Sequence, residues 1–483
     1  MSTVPSRPAT RWWALAVLAL TQLVVVLDTT IVTIALPQAQ LEIGMTDIQR
    51  QWIVTAYALA FGSLLLLGGR IADYWGRKRT FMVGMIGFGA ASAWGGLAQS
   101  GIELIIARGV QGAFAAMLAP AALAMVTVMF THGRERNIAF AIFGTVAGTG
   151  AAIGLVLGGV LTEFANWRWC LLVNIFFVIV GLIGGARLLS ESKAEGDNRY
   201  DIWGTITVIL GLGSLVYGFT LAEHGWDSVD TIVFLALGVM LLAVFVWIES
   251  RVRQPLLPLH VIVNSVRGGA FLVQAVVGAV MIGSMLYLTF HFQIVMGMSP
   301  LVSGLANVVM TVVIMICSPF TTKALNRFGP RPLMILGPLF SAAGLFYLTG
   351  ITPDGDYFTQ VLPALALLGI GLSMLFVPLQ NLSLIGVDPE EAGVAAGTVN
   401  STFHIGGSIG LAVFTVIYAG TVGAALKGGA DQAAAFTDGY SAAFFASGIA
   451  MVAASLIAVF LIRGEKDELM PQWDDEDAVA YAH

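Results

Sequence analysis

Asp28 stands in the middle of one apolar run, LVVVLDTTIVTIALP, and Arg108 in another, LIIARGVQGAFAA. A carboxylate in hydrocarbon is costly unless it is paired, protonated or wetted by a cavity. Desolvation favours the neutral form of such an acid, and a neighbouring cation favours the charged form. A carboxyl held between those two pulls exchanges a proton when its surroundings change, which is the chemistry of proton coupling. The competing reading is a structural acid that bonds a neighbouring helix, helped by Thr29, Thr30 and Thr33. Arg108 also has two readings. It pairs with Asp28, or it reaches outward to Glu103 or to backbone carbonyls.

His404, in NSTFHIGGSIG, lies near the centre of a later apolar run. Histidine titrates close to neutral pH, so His404 joins Asp28 and Arg108 as a candidate proton or substrate residue, the competing reading being a structural hydrogen-bond donor. Gln111, Tyr287, His291, Asn307, Gln380 and Asn400 are polar positions in apolar runs and are candidates for lining a cavity. The chain has no G-x-x-x-x-G-K-[ST] loop for ATP, no His/Cys cluster with metal-ligand spacing and no serine–histidine–acid set. No cofactor, no metal and no enzymatic reaction are expected. Cys170 and Cys317 fall in apolar runs and read as small buried hydrophobes.

The elements that position these residues are membrane helices. The chain is 57% hydrophobic and 11% charged, against about 25% charged in soluble domains. It is an integral membrane protein, in contact with the lipid bilayer and not with nucleic acid. A span needs about 20 apolar residues. Runs that qualify lie at 12–36, 52–71, 80–98, 102–129, 138–162, 169–189, 202–222, 231–249, 268–294, 301–324, 332–351, 358–386, 394–424 and 441–462. The first is too long for a signal core and carries Asp28. With the N-terminus inside, 19 of the 23 Lys and Arg fall in cytoplasmic segments. Arg50, Arg168 and Lys427 fall in outer loops and Arg108 in a span. That asymmetry puts both termini in the cytoplasm of a cell-membrane protein. At 1.5 Å per residue Asp28 lies roughly 20–24 Å from the inner end of helix 1, and Arg108 roughly 9 Å from the outer end of helix 4. In a core about 30 Å thick these depths coincide.

Between the second and third spans the chain reads GGRIADYWGRKRTF, with Gly69, Asp73, Gly76, Arg77 and Lys78. A weaker copy, KALNRFGPRPLM, follows the tenth span and aligns Gly76 with Gly329 and Asp73 with Asn326. The copies are eight spans apart, so two spans are inserted between two six-helix halves. The expected organisation is a cytoplasmic tail (1–11), a six-helix bundle (12–189), an inserted helix pair with its linkers (190–264), a second six-helix bundle (265–463) and an acidic disordered tail (464–483). In the fifth span Gly150, Gly154 and Gly158 recur every four residues, followed by Gly159. Such rows let helices pack closely.

These motifs resemble the 14-spanner drug:proton antiporter family of the major facilitator superfamily, over nearly the whole chain. The loop G-x-x-x-D-x-x-G-R-K, the helix 1 segment LDTTIVTIALP, QWIVTAYALA in helix 2, Leu104 to Gly112 in helix 4, WRWCLLVNI at helix 6 and GVDPEEAGVAAG before helix 13 carry the resemblance. The chain departs from the family at Thr33, usually Asn, at Leu155, usually Pro, and at Phe403–His404, often R-Q. The resemblance implies an all-α major facilitator fold of two six-helix bundles plus two inserted helices. It implies a monomer that exports amphipathic small molecules, cationic ones included, by alternating access in exchange for protons. A dedicated exporter of one metabolite, antibiotic or siderophore, and a transport-inactive sensor, are the alternatives. It also implies that Asp73 acts on conformation near the N-terminus of a helix in the other half, helix 13, and that the row in helix 5 is an antiporter motif.

Overall fold

A computed structural model describes residues 8–130, 133–193, 201–222, 225–252, 254–387, 391–464 and 466–470. Residues 1–7 of the N-terminal tail, 194–200 of the linker and 471–483 of the acidic tail lie outside the described residues. Among the described residues, 14 helices are long and apolar enough to cross a membrane. They are α1 (Pro8–Ile43), α2 (Asp47–Trp75), α3 (Arg77–Leu97), α4 (Gly101–Met129), α5 (Gly133–Phe164), α6 (Trp169–Leu188), α7 (Ile202–Leu221), α8 (Val229–Glu249), α9 (Ser265–Phe290), α10 (Pro300–Phe328), α11 (Pro330–Leu348), α12 (Leu362–Ser383), α13 (Ala392–Lys427) and α14 (Gln432–Leu461). The spans predicted from apolar runs match these helices one for one.

Polar caps start the helices at or just before the apolar runs. Thr46 and Gln49 form a reciprocal capping box on α2, Ser100 accepts from Glu103 N on α4, and Ser299 caps α10 ahead of Pro300. Each satisfies amides that the first turn leaves without partners. Gly76 (φ 121°) and Gly329 (φ 78°) are single-residue hinges, α2 to α3 and α10 to α11. Only glycine adopts this region at little cost. The sequence copy is therefore a structural copy, two sharp turns on one face of the bundle, here called the basic face.

Helices α1–α6 and α9–α14 form two bundles. The halves meet along two seams, α2 against α13 and α5 against α10. The inserted pair covers the first seam. Val208 and Leu212 of α7 and Phe245 of α8 cluster with Leu59 of α2 and with Ile405 and Ile409 of α13. Away from the basic face the halves are closed. Gln293 Nε2 donates to Ile34 O at 3.0 Å, and Leu301 N donates to Glu163 Oε2 at 3.0 Å. A Cβ on Gly159 would lie 2.6 Å from Leu301 Cα. Towards the basic face Gly144 and Gly148 meet nothing within 4 Å, so that face of α5 is open, while Ala139 and Phe143 pack into the first bundle.

Arg50, placed in an outer loop by the sequence reading, is inside the first turn of α2 and is 3% exposed. The cap at Thr46 starts the helix earlier than the apolar run suggests, and this draws Arg50 inward.

Candidate functional site

Asp28 of α1 is fully buried and Arg108 of α4 is 2% exposed. Arg108 Nη1 donates to Asp28 Oδ2 at 2.5 Å and to Gln111 Oε1 at 2.6 Å. The second carboxylate oxygen, Oδ1, accepts from Gln111 Nε2 at 2.8 Å and from Asn174 Nδ2 at 2.6 Å. Ser92 of α3 completes the network. It accepts from both amides, at 3.1 and 3.0 Å, and donates to Leu171 O at 2.8 Å. Helices α4 and α6 thus supply the partners of one α1 carboxylate and α3 braces them, and charge-assisted hydrogen bonds of this kind are the stronger ones. The geometry selects the pair with Asp28 over the outward reach of Arg108. Glu103 is engaged elsewhere, by Trp94 Nε1 at 2.9 Å and Gln99 N at 2.8 Å.

The threonines do not serve the acid. Thr29, Thr30 and Thr33 donate back to carbonyls of their own helix. Small residues bring the partners within reach instead. A Cβ on Gly112 would strike the Tyr57 carbonyl oxygen, so α4 lies against α2 there. The ring of Tyr57 then covers the guanidinium of Arg108 at 4.2 Å. A cation over an aromatic face in a desolvated site is stabilised by about 2 kcal/mol.

A family model described as the Major Facilitator Superfamily matches residues 18–411. The chain belongs to the major facilitator superfamily. A puromycin resistance protein from Streptomyces alboniger is 43% identical, over 93% of this chain and 91% of its own. A cephamycin export protein from Amycolatopsis lactamdurans is 37% identical, over 86% and 87%. A crystal structure of a peptide transporter in complex with sulfate superposes with a TM-score of 0.65 at 15% identity, covering 92% of this chain and 93% of that one. That likeness concerns the fold. The fourteen spans and the drug-resistance relatives accord with the 14-spanner branch, and this facilitator is a membrane transporter.

The other predicted residues of this facilitator are dispersed. His404 of α13 lies on the α2–α13 seam, outside the Asp28 network. Its ring meets Phe61 edge-on at 4.5 Å, and Phe61 stacks on Tyr57 at 6.0 Å. An aromatic path therefore runs from Arg108 to the opposite half. Asn307 is buried beside Thr289 at 3.3 Å, and Tyr287 bonds Thr415 at 2.8 Å. His291 is buried against the edge of Tyr440 at 5.9 Å. Gln380 and Asn400 are exposed. In the loop, Asp73 accepts from Arg77 at 2.8 Å, and Glu191 caps α3 through Lys78 N and Arg79 N. Asp73 thus bonds its own loop rather than α13 in this conformation. A Cβ on Gly69 would only make ordinary contact with Pro120, at 3.7 Å.

Gly150, Gly154 and Gly158 all face α1. Added Cβ atoms would meet Val26 at 3.3 Å, Leu27 O at 2.9 Å and Ile31 O at 3.0 Å. Gly159 faces α10 of the other half. Sequence reasoning missed Ser92, Asn174 and Tyr57 as members of the site. Asn174 carried a signal, an amide inside an apolar span. Ser92 and Tyr57 carried none that set them apart from other residues of their helices.

Proposed function

We propose that the protein is a proton-coupled exporter of amphipathic small molecules, cationic ones included, working by alternating access. One observation carries this reading, the buried Asp28 carboxylate paired with Arg108 in the Arg108–Gln111–Asn174–Ser92 network. Oδ1 accepts two hydrogen bonds and Oδ2 one, so a proton on Oδ1 displaces an amide and a proton on either oxygen removes the counter-charge of Arg108. Protonation frees the Arg108 guanidinium or an amide to reorient. Tyr57 and Phe61 link that event to His404 on α13, so it reaches the seam between the halves. The antibiotic-resistance and export names of the relatives support the direction of transport. The charge asymmetry supports a cell-membrane location with the basic face in the cytoplasm, and the closed far face with the open Gly144–Gly148 face of α5 on the basic side then describes an inward-facing state. The glycine row keeps α5 against α1, and Gly159 lets the closed face form.

In proteoliposomes with an imposed proton gradient, the protein should accumulate puromycin, an amphipathic amine, and a protonophore should abolish the uptake. Equal uptake with the gradient collapsed would refute proton coupling. Relatives named for single antibiotics favour a second reading, a dedicated exporter. A resistance panel in a pump-deficient host separates the two, because a dedicated exporter protects against one compound only.

Asp73 is the proposed conformational residue. Its pair with Arg77 is partly exposed, at 39% and 16%, and such pairs contribute about 0.2–1 kcal/mol. Asp73→Ala should shift the balance of inward and outward states by no more than about fivefold. Cysteine labelling on both faces measures this, and unchanged labelling on both would remove Asp73 from the switch.

A further inference from the structure

Arg50 is a cation of one half buried among aromatic rings of the other. Its guanidinium lies 4.1 Å from the ring centroid of Phe290 and 5.7 Å from that of Tyr418. Tyr418 stacks on Tyr440 at 5.1 Å and on Tyr287 at 5.8 Å. The four rings come from α9, α13 and α14, all in the second bundle, and none is more than 1% exposed. From its own half Arg50 is held by Asp47 Oδ1 at 3.0 Å and Gln40 Oε1 at 3.2 Å. Gln40 Nε2 in turn donates to Asp47 at 2.8 Å. The acid and the amide belong to the first bundle and the rings to the second, so the contact spans the closed far face.

Aromatic cages of this type bind organic cations, because ring faces attract positive charge and shed little hydration when they do. If the far face opens, as alternating access requires, Arg50 leaves with Asp47 and the cage faces the outer mouth empty. We propose that the aromatic cage formed by Phe290 and Tyr418, with Tyr440 and Tyr287 stacked on Tyr418, is a binding site for organic cations of the guanidinium or alkylammonium class. Arg50 is its tethered competitor and empties it as the far face closes. Competition of this kind turns closure into release, since the cation and the closed face exclude each other. The proposal rests on the alternating-access reading. Its test is an equilibrium binding measurement that needs no gradient, so it fails separately from proton coupling.

The probe is methylguanidinium, with methylurea as the neutral isostere, added to purified full-length protein in lipid nanodiscs. Arg50→Ala should gain saturable binding, read as a rise in melting temperature. Its affinity should exceed that of the wild type by at least ~10-fold, the equivalent of one desolvated cation–π contact. Tyr418→Leu or Phe290→Leu in the Arg50→Ala background should abolish the gain. Equal responses of wild type and Arg50→Ala, or equal responses to methylurea, would overturn the proposal. A second arm keeps Arg50 in place. In Ser299→Cys protein, methylguanidinium should raise labelling of the far face by an impermeant thiol reagent. No difference from methylurea would overturn the proposal even if Arg50→Ala does not fold.

Discussion

Asp28→Asn protein should insert and fold but lose proton-driven export by at least about 100-fold, the lower end of what an uncompensated buried charge of about 3–5 kcal/mol implies. The substitution keeps the shape of the side chain. Its carbonyl oxygen still accepts from Gln111 and Asn174, which now reach Oδ1 at 2.8 and 2.6 Å. The amide nitrogen, however, faces Arg108 Nη1, where Oδ2 stands now at 2.5 Å. A donor then meets a donor, and a buried guanidinium loses its counter-charge. It keeps the Tyr57 ring at 4.2 Å, which is why folding survives. The site nevertheless has no group left to take a proton. Gradient-driven uptake into proteoliposomes measures the loss, with size-exclusion chromatography as the control for folding. Uptake near the wild-type rate would remove Asp28 from the coupling mechanism.

Gly112→Val should damage packing and the site together. A Cβ at this position overlaps the Tyr57 carbonyl oxygen and lies 3.0 Å from Tyr57 Cα. Backbone cannot rotate out of the way as a side chain can, so α4 must move off α2. Overpacking of this kind costs about 1–3 kcal/mol, and the displacement also lifts Tyr57 from Arg108. The melting temperature in nanodiscs should fall by several degrees, with transport lost in parallel. Gly144→Val is the matched control, because Gly144 meets nothing within 4 Å. Equal damage from the two substitutions would show that the α2–α4 contact does not hold the site.

Helices were legible wherever the chain is apolar, since length and hydropathy alone decide a span. The inserted pair was legible from the spacing of two glycine turns, and Gly76 and Gly329 do occupy matching hinges. The pairing of Asp28 with Arg108 followed from depth, because both sit far from water and each needs the other. What stayed hidden depends on helix rotation. Ser92 and Tyr57 enter the site through the azimuth of α3 and α2, which close packing at glycines fixes and no local pattern announces. Arg50 was misplaced for a related reason. Its charge signalled a loop, while the cap at Thr46 and the rings of the other half allow it to be buried. The idea that the helix 1 threonines support the acid failed because hydroxyls in a helix readily donate to the carbonyl three or four residues back.

The central claim is that the proton and the substrate are linked through Asp28. It is tested most directly by the protons released when substrate binds to purified protein in weakly buffered solution, at pH values stepped from neutral into the acid range and without a gradient. The account predicts a net release of up to about one proton per bound puromycin for the wild type, as for a single linked site, and none for Asp28→Asn. Stoichiometric binding with no proton release by the wild type, or equal release by both proteins, would contradict it.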